Sequence, residues 1–381
     1  MPALSAYLIV GAVAAVVTFA LIPVVRTLVI RFGAVVAPDP RHVHEQPTPT
    51  AGGAAMLVGV IVAVIAAALH PEFDDVMAAR TEMIGVVVAA VVIWSVGFVD
   101  DLREISPPAK IAGMVLSGSI LSLTGVSILV FRVPFFEVLF LSPDWSALIT
   151  VLWVVGMANV INLIDGLDGL AAGIVAIASA TFLLYALRLG NEDILDPGNP
   201  GALWAVIALG VCVGFLPHNV HPARIFMGDG GALLLGLLMA ASTMSVGGRA
   251  TTEFSGQTFF FFAPIFIPLV ILGVPILDTV FAIIRRTARR RGVSAPDKEH
   301  LHQRLMNLGH GHRRSVLILW AWTTLLSAFV LYPTYTGEGD ALVPIGIAAL
   351  ALVLFSLLHP RWRGAVEEVD EAELDALDRE R

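Results

Sequence analysis

The sequence predicts an all-α, polytopic integral membrane protein, and three observations predict it. Of 381 residues, 57% are hydrophobic and only 14% charged, and the mean hydropathy is +0.84; a soluble domain carries about 25% charged residues. Apolar runs of the length a membrane helix needs, roughly 20 residues, recur about eleven times. The basic residues divide unevenly between the two faces that alternating spans define. Arg80, Arg132, Arg188 and Arg249 fall on one face, and the other nineteen of 23 fall on the second. The positive-inside rule makes the second face cytoplasmic, with the N-terminus outside and the C-terminus inside.

In chain order, Leu4 to Ile30 is a first span, too long and without the basic start of a cleaved signal peptide; Pro23 is a candidate kink. A polar loop, Arg31 to Thr50, is punctuated by Pro38, Pro40, Pro47 and Pro49 and leads into Gly52-Gly53. Spans follow at about Ala51–Leu69, Met83–Val99 and up to Leu123. Val126 to Val133 is short, β-branched and bounded by Gly125 and Pro134, which reads as a small extracytoplasmic hairpin. Further spans lie at about 147–160, 170–187, 202–216 and 232–246. The ninth, about 258–284, contains Pro264, Pro268, Gly273 and Pro275 and is expected to be broken. Two more, at about 316–331 and 342–358, follow the basic loop Arg285 to Ser315. Residues 1–365 form one transmembrane domain, and 366–381 form an acidic cytoplasmic tail that carries much of the net charge of −8. The single cysteine, Cys212, lies in an apolar run, which excludes an intrachain disulfide and reads as a small buried hydrophobe.

The chemistry sits at span edges. Asn159 to Leu170 places Asn162, Asp165 and Asp168 beside Gly166 and Gly169, between two apolar runs. Such groups are costly at a membrane edge and need a reason. If the segment is helical from Asp165, the two aspartates share a face. Acidic groups beside open glycine backbone fit a metal bound with a phosphorylated ligand; the plainer alternative is a polar helix break capped by Asn and Asp. Asp100-Asp101 can supply a general base or a cation ligand, and Lys110 a charge for phosphate. Phe226-Met227-Gly228-Asp229-Gly230-Gly231 opens the eighth span, where glycines bare N–H groups that bind anions; Asp229 is alternatively an N-cap. His300 and His302 share a side only in an extended chain, and they lack the further ligands of a zinc site. Phosphate binding by His302 and Arg304 fits better. His218 and His221 flank prolines with nothing acidic nearby in sequence and read as structural.

By the span alternation, the His42–Gly53 loop, Asp100-Asp101, Asp165 and Asp168, Asp229, and His300 and His302 all fall on the cytoplasmic face. No comparable set falls on the other. A transporter also uses broken helices and acidic residues, but its site lies near the midplane. One-sided clustering argues instead for an enzyme acting on a nucleotide substrate and a lipid phosphate.

Pro47-Thr48-Pro49-Thr50-Ala51-Gly52-Gly53, Gly97-Phe98-Val99-Asp100-Asp101, Asn162 to Leu170, Phe226-Met227-Gly228-Asp229 and His300-Leu301-His302-Gln303-Arg304 stand in an order that resembles the polyprenyl-phosphate N-acetylhexosamine-1-phosphate transferase family. The histidine segment is closer to the GlcNAc branch than to the phospho-MurNAc-pentapeptide translocases, with Gln303 where the GlcNAc branch often has histidine. The resemblance implies transfer of a sugar-1-phosphate, GlcNAc-1-phosphate first, from a UDP-sugar to a polyprenyl phosphate with release of UMP. It implies dependence on Mg²⁺, with Mn²⁺ as a substitute, in a bacterial plasma membrane. No nucleic-acid partner is expected, and a homodimer is compatible. In residues, it implies that Asp229 with Asn162 binds metal, and that Gly166, Leu167, Asp168 and Phe226 form the uracil pocket. Asp165 lines the ribose and diphosphate region. Asp100 contacts or deprotonates the lipid phosphate, beside Asp101 and Lys110. His300, His302 and Arg304 hold diphosphate and sugar.

Overall fold

Helix α1 (Leu4–Arg31) is apolar around its whole circumference, which suits lipid rather than water. Its stripe of Ala6, Val10, Ala14, Thr18 and Ile22 recurs every four residues and is buried, whereas Leu8, Ile9, Val16 and Phe19 on the other faces are exposed. Pro23 lies within it, and the helix continues as one element to Arg31. The computed structural model describes residues 1–31, 35–36, 48–132, 138–248, 272–273, 276–277, 279–280, 301–336 and 343–356.

A two-stranded antiparallel pair, β1 (Val35–Val36) and β2 (Thr48–Pro49), leads into α2 (Gly52–Ala68). After α2 the chain bends by 92° into a short 3₁₀ turn, Pro71–Phe73, and α3 (Asp74–Ala78). Then come α4 (Arg80–Arg103) and α5 (Pro107–Leu123). The expected hairpin is present as β3 (Val130–Arg132) paired antiparallel with β4 (Val138–Phe140), Val130 opposite Phe140. It is tied to the next helix, α6 (Pro143–Ile164), by Ser146 Oγ donating to the Ile128 carbonyl at 2.7 Å and Ile128 N–H donating to Thr150 Oγ1 at 3.0 Å. Pro107 and Pro143 stand in the first turns of α5 and α6, where a missing N–H costs no helix bond.

Helices α7 (Leu170–Asn191), α8 (Gly201–Asn219) and α9 (Gly228–Gly247) complete the inner bundle. Every residue of α9 from Gly230 to Gly247 is buried, and it packs against α2, α4, α6, α7 and α8. Gly, Ala and Ser occupy much of it, so neighbouring backbones approach closely where apolar driving force between helices is weak. A short helix α10 (Leu301–Asn307) packs on α11 (Gly311–Thr336), which lies against α7; α12 (Val343–Ser356) follows.

Among the described residues, seven helices are long and apolar enough to cross a membrane: α1, α4, α6, α7, α8, α9 and α11; α2 with its bent continuation makes an eighth. The chain is therefore a multi-pass, all-α membrane protein. The expected broken ninth span lies outside the described residues but for six positions between 272 and 280, as do the basic segment 285–300 and the tail from 357 onward.

One conditional reading is decided against. Asp165 and Asp168 share no helical face, because α6 ends at Ile164 and a turn over 165–169 precedes α7. Gly169, with φ +77°, starts α7 from the left-handed region, which glycine adopts without strain. Residues Leu301–Asn307 are helical, while His300 lies outside the described residues, so the relation of His300 to His302 is left open.

Candidate active site

The polar motifs converge at one end of the bundle, around the N-terminus of α9. The Thr48–Gly53 segment docks beside it. Phe226 N–H donates to the Pro49 carbonyl, Gly52 N–H to the Phe226 carbonyl and Gly53 N–H to the Met227 carbonyl, each at 2.9 Å. From α4, Gly97 lies so close that a Cβ there would sit 2.5 Å from the Asp229 carbonyl carbon and the Gly230 nitrogen. The glycine thus lets the last turn of α4, with Asp100 and Asp101, lie directly over the first turn of α9.

Asp101 uses that closeness. Its Oδ1 accepts from Asp229 N–H at 2.8 Å and its Oδ2 from Gly230 N–H at 3.2 Å. A carboxylate from α4 therefore caps α9 from outside, which satisfies two orphan donors and complements the helix dipole. The helix's own N-cap position is Met227, with no side-chain cap, and Asp229 lies inside the first turn. The N-cap alternative for Asp229 is overturned: another residue does that work, and the Asp229 carboxylate is turned elsewhere.

It faces α5 and α6. Asn162 Nδ2 donates to Asp229 Oδ1 at 2.7 Å. The Lys110 ammonium touches Asp229 Oδ2, donates to Asn162 Oδ1 at 3.2 Å and pairs with Asp100 Oδ2 at 3.0 Å. Asp100 Oδ1 also accepts at 2.7 Å from the N–H of Ile105, just past the end of α4, which fixes the orientation of the carboxylate. Three oxygens from three helices thus surround one positive charge. Asp165, at the end of α6, adds a further carboxylate nearby; burial, and the charges of Asp229, Asp101 and Asp168, push its carboxyl up to about 8. Asp100, Asp101 and Asp229 stand in one network with a single lysine, which leaves the site with more acidic than basic groups even without Asp165. Hard oxygen donors with unneutralised charge, at a partly exposed edge, fit Mg²⁺, which takes few carboxylates and keeps several waters. Asp229 and Asn162 are the residues that would hold it.

The turn over 165–169 forms the adjoining wall. Asn219 on the last turn of α8 joins it to the loop before α9: its Oδ1 accepts from Gly169 N–H at 2.9 Å, and its Nδ2 donates to the Ile225 carbonyl at 3.0 Å. Leu167 and Asp168 are buried, Gly166 is exposed and Phe226 is half-buried. Asp168 Oδ2 accepts from His221 Nδ1 at 2.7 Å and from Ala223 N–H at 3.1 Å. His221 has no acidic neighbour in sequence, as expected, but the fold gives it one 53 positions away. Sequence reasoning does not single out Asn219 either. The available signal is an Asn and a His between prolines just ahead of the Phe226-Met227-Gly228-Asp229 motif.

Asp100, Asp101, Lys110, Asn162 and Asp229 are therefore brought into one network, with Asp165 beside it and Gly166, Leu167, Asp168 and Phe226 on the adjacent loops. Arg304 is exposed on α10. His300 and the side chain of His302 lie outside the described residues.

Residues 83–247 match the family model for glycosyl transferase family 4. The chain is 38% identical over 363 residues to decaprenyl-phosphate N-acetylglucosaminephosphotransferase of Mycolicibacterium smegmatis, covering 93% of this chain and 89% of the relative. It is 39% identical over 312 residues to a probable undecaprenyl-phosphate N-acetylglucosaminyl 1-phosphate transferase of Bacillus subtilis, covering 81% and 80%. A phospho-N-acetylmuramoyl-pentapeptide-transferase of Desulforudis audaxviator is 33% identical over 356 residues, covering 85% and 97%. With this similarity running through the helices that build the site, the chain belongs to glycosyl transferase family 4, among the polyprenyl-phosphate N-acetylhexosamine-1-phosphate transferases.

Proposed function

We propose that the protein transfers GlcNAc-1-phosphate from UDP-GlcNAc to a polyprenyl phosphate, giving polyprenyl-diphosphate-GlcNAc and UMP, a first membrane step of envelope glycan synthesis. The observation that carries this reading is the set of oxygen donors from Asp100, Asn162 and Asp229 gathered around Lys110 at one end of a membrane bundle. The sugar follows the names of the GlcNAc-type relatives, which are more similar to this chain than the MurNAc-pentapeptide one.

The reaction needs little base. A lipid phosphate monoester has a second pKa of about 6, so its oxygen is already anionic near neutral pH. That oxygen attacks the phosphorus attached to the sugar; the bond from this phosphorus to the bridging oxygen breaks, and UMP leaves with the electron pair. The requirement on the protein is positioning and charge neutralisation. Asp229 and Asn162 would hold Mg²⁺, which when bound neutralises diphosphate charge and stabilises the leaving UMP. Lys110 holds a phosphate oxygen, and Asp100 keeps the ammonium in place. Asp101 holds the first turn of α9, and with it Asp229, at the right depth. Gly166, Leu167, Asp168 and Phe226 receive the uracil, and Asp165 faces the ribose and diphosphate. His300, His302 and Arg304 reach the diphosphate and sugar from the segment before α11. Arg304→Ala should raise the KM for UDP-GlcNAc by about 10-fold, the scale of one charge-assisted contact, without loss of folded protein. Unaltered kinetics would remove this helix from the site.

The finer topology belongs to the same reading: about eleven spans, the N-terminus outside, and the site and acidic tail in the cytoplasm. The nineteen basic residues on one face against four on the other support it. Cys212 is buried, so it gives a quiet background for thiol labelling. Ser294→Cys should resist a membrane-impermeant maleimide in intact cells and react after lysis. Labelling in sealed cells would reverse the orientation. Sugar choice is tested by offering the purified protein UDP-GlcNAc, UDP-GalNAc and UDP-MurNAc-pentapeptide with one polyprenyl phosphate. Turnover of UDP-GlcNAc is expected to dominate, and preference for the pentapeptide donor would move the chain to the other branch.

A further inference from the structure

Beside the turn over 165–169 lies a cluster in which two histidines, His221 and His312, surround Asp168 and have no part in the reaction above. Asp168 is held there by His221, and a second imidazole, His312 in the first turn of α11, stacks on His221 with ring centroids 4.1 Å apart and planes 23° apart. His312 Nε2 is 3.9 Å from the same Asp168 Oδ2. The three donor atoms lie within 4.8 Å of one another, a spacing a metal ion could exploit. Two features favour a hydrogen-bonded unit instead. His221 and Asp168 are at 2.7 Å, a hydrogen-bond distance, and nearly parallel stacked rings direct their nitrogens poorly at a shared ion.

The unit is anchored on every side. Ala223 N–H donates to the same carboxylate oxygen at 3.1 Å, and Arg313 donates to the His221 carbonyl at 3.2 Å. The Asp168 side chain is almost wholly buried, whereas His221 is 38% exposed and His312 9%. A buried carboxylate that accepts two directed donors has one orientation, and a ring stacked against its main donor resists that donor's rotation. The arrangement also links three separate chain segments: the 165–169 turn, the loop between α8 and α9, and the start of α11.

We propose that His221 and His312 are positioning residues for the nucleobase. His221 Nδ1–H fixes the Asp168 carboxylate, and His312 holds the His221 ring by stacking, so that Asp168 presents a preset acceptor edge to an imide N–H of the pyrimidine. The proposal rests on the reading that Asp168 faces the uracil. It makes α11 part of the nucleotide site although none of its side chains touches the base, and it assigns roles to two histidines outside the His300–Arg304 motif.

Steady-state kinetics of the full-length protein with varied UDP-GlcNAc test it. His221→Ala should raise KM by about 10- to 100-fold, the range for a charge-assisted hydrogen bond, while kcat changes by less than about threefold. His221→Asn places an amide N–H near the Nδ1 position and should recover most of the affinity; His221→Gln places it near Nε2 and should not. His312→Ala should raise KM, and His312→Phe, which keeps a stacking ring, should recover most of that loss. The Asn–Gln comparison stands even if the alanine variant fails to accumulate. Equal KM values for His221→Asn and His221→Gln would overturn the proposal. If Asp168→Asn raises KM and neither histidine variant does, positioning by the pair is wrong while the nucleotide reading of Asp168 survives. If Asp168→Asn leaves KM as it was, both fall. Zinc found at about one per chain in the purified protein and lost in His312→Ala would make the cluster a metal site and overturn the hydrogen-bonded unit.

Discussion

Asp229→Asn should fold and accumulate like the wild type, melt at nearly the same temperature, and lose at least ~100-fold in turnover, the scale of removing a principal electrostatic group from a transition state, ~2.7 kcal/mol. The substitution preserves shape. Oδ1 can still accept from Asn162, and the α9 N-terminus stays capped, because Asp101 rather than Asp229 caps it. What disappears is the negative charge that a hard divalent cation wants. Raising Mg²⁺, or substituting Mn²⁺, should recover part of the loss. Calorimetry and a Mg²⁺ titration of initial rates separate the two effects. Near-normal turnover at limiting Mg²⁺ would move the metal away from Asp229, toward Asp100.

Asp101→Asn should behave differently, although the two aspartates are the same kind of residue in the same network. One Asp101 oxygen accepts from Asp229 N–H and the other from Gly230 N–H. An asparagine offers one acceptor and turns an NH₂ group against the second backbone donor. Loss of a helix cap costs about 1–2 kcal/mol, so the melting temperature should fall by several degrees. Turnover should fall by at least ~30-fold, since the first turn of α9 carries Asp229 and small misplacements of a catalytic group cost up to about 100-fold. Added Mg²⁺ should not restore it. A variant as stable as the wild type, with turnover recovered by Mg²⁺, would show that Asp101 is a ligand and not a cap.

The contrast between these residues marks what the sequence makes legible. The spans are legible because a long apolar run, in a chain this poor in charge, suits little besides a bilayer or the interior of a helix bundle. Asp100, Lys110, Asn162 and Asp229 stand out because each is a polar group at the edge of such a run. The hairpin over 130–140 is legible from its β-branched residues between Gly125 and Pro134. The division of labour within the cluster is not. Asp101 caps a helix whose first turn lies 128 residues later, a pairing no local pattern encodes. His221 looks unpaired because its aspartate is brought to it only when α7 and α8 pack. The central place of α9 is hidden for another reason: its apolar composition resembles that of α1, which is exposed on most of its faces, and only the run of Gly, Ala and Ser hints at contact on all sides. The helix Leu301–Asn307 escapes the sequence because seven residues are too few to display a helical period.

The most direct measurement follows one phosphorus atom. Purified protein is given UDP-GlcNAc radiolabelled in the phosphate attached to the sugar, a polyprenyl phosphate and Mg²⁺, and both the lipid and the released nucleotide are analysed. Sugar-1-phosphate transfer puts the label into the lipid diphosphate and releases unlabelled UMP in equal amount, and Asp229→Asn slows both together. Release of labelled UDP, with sugar but no label reaching the lipid, would contradict it, because the bond broken would then be the one between sugar and phosphate.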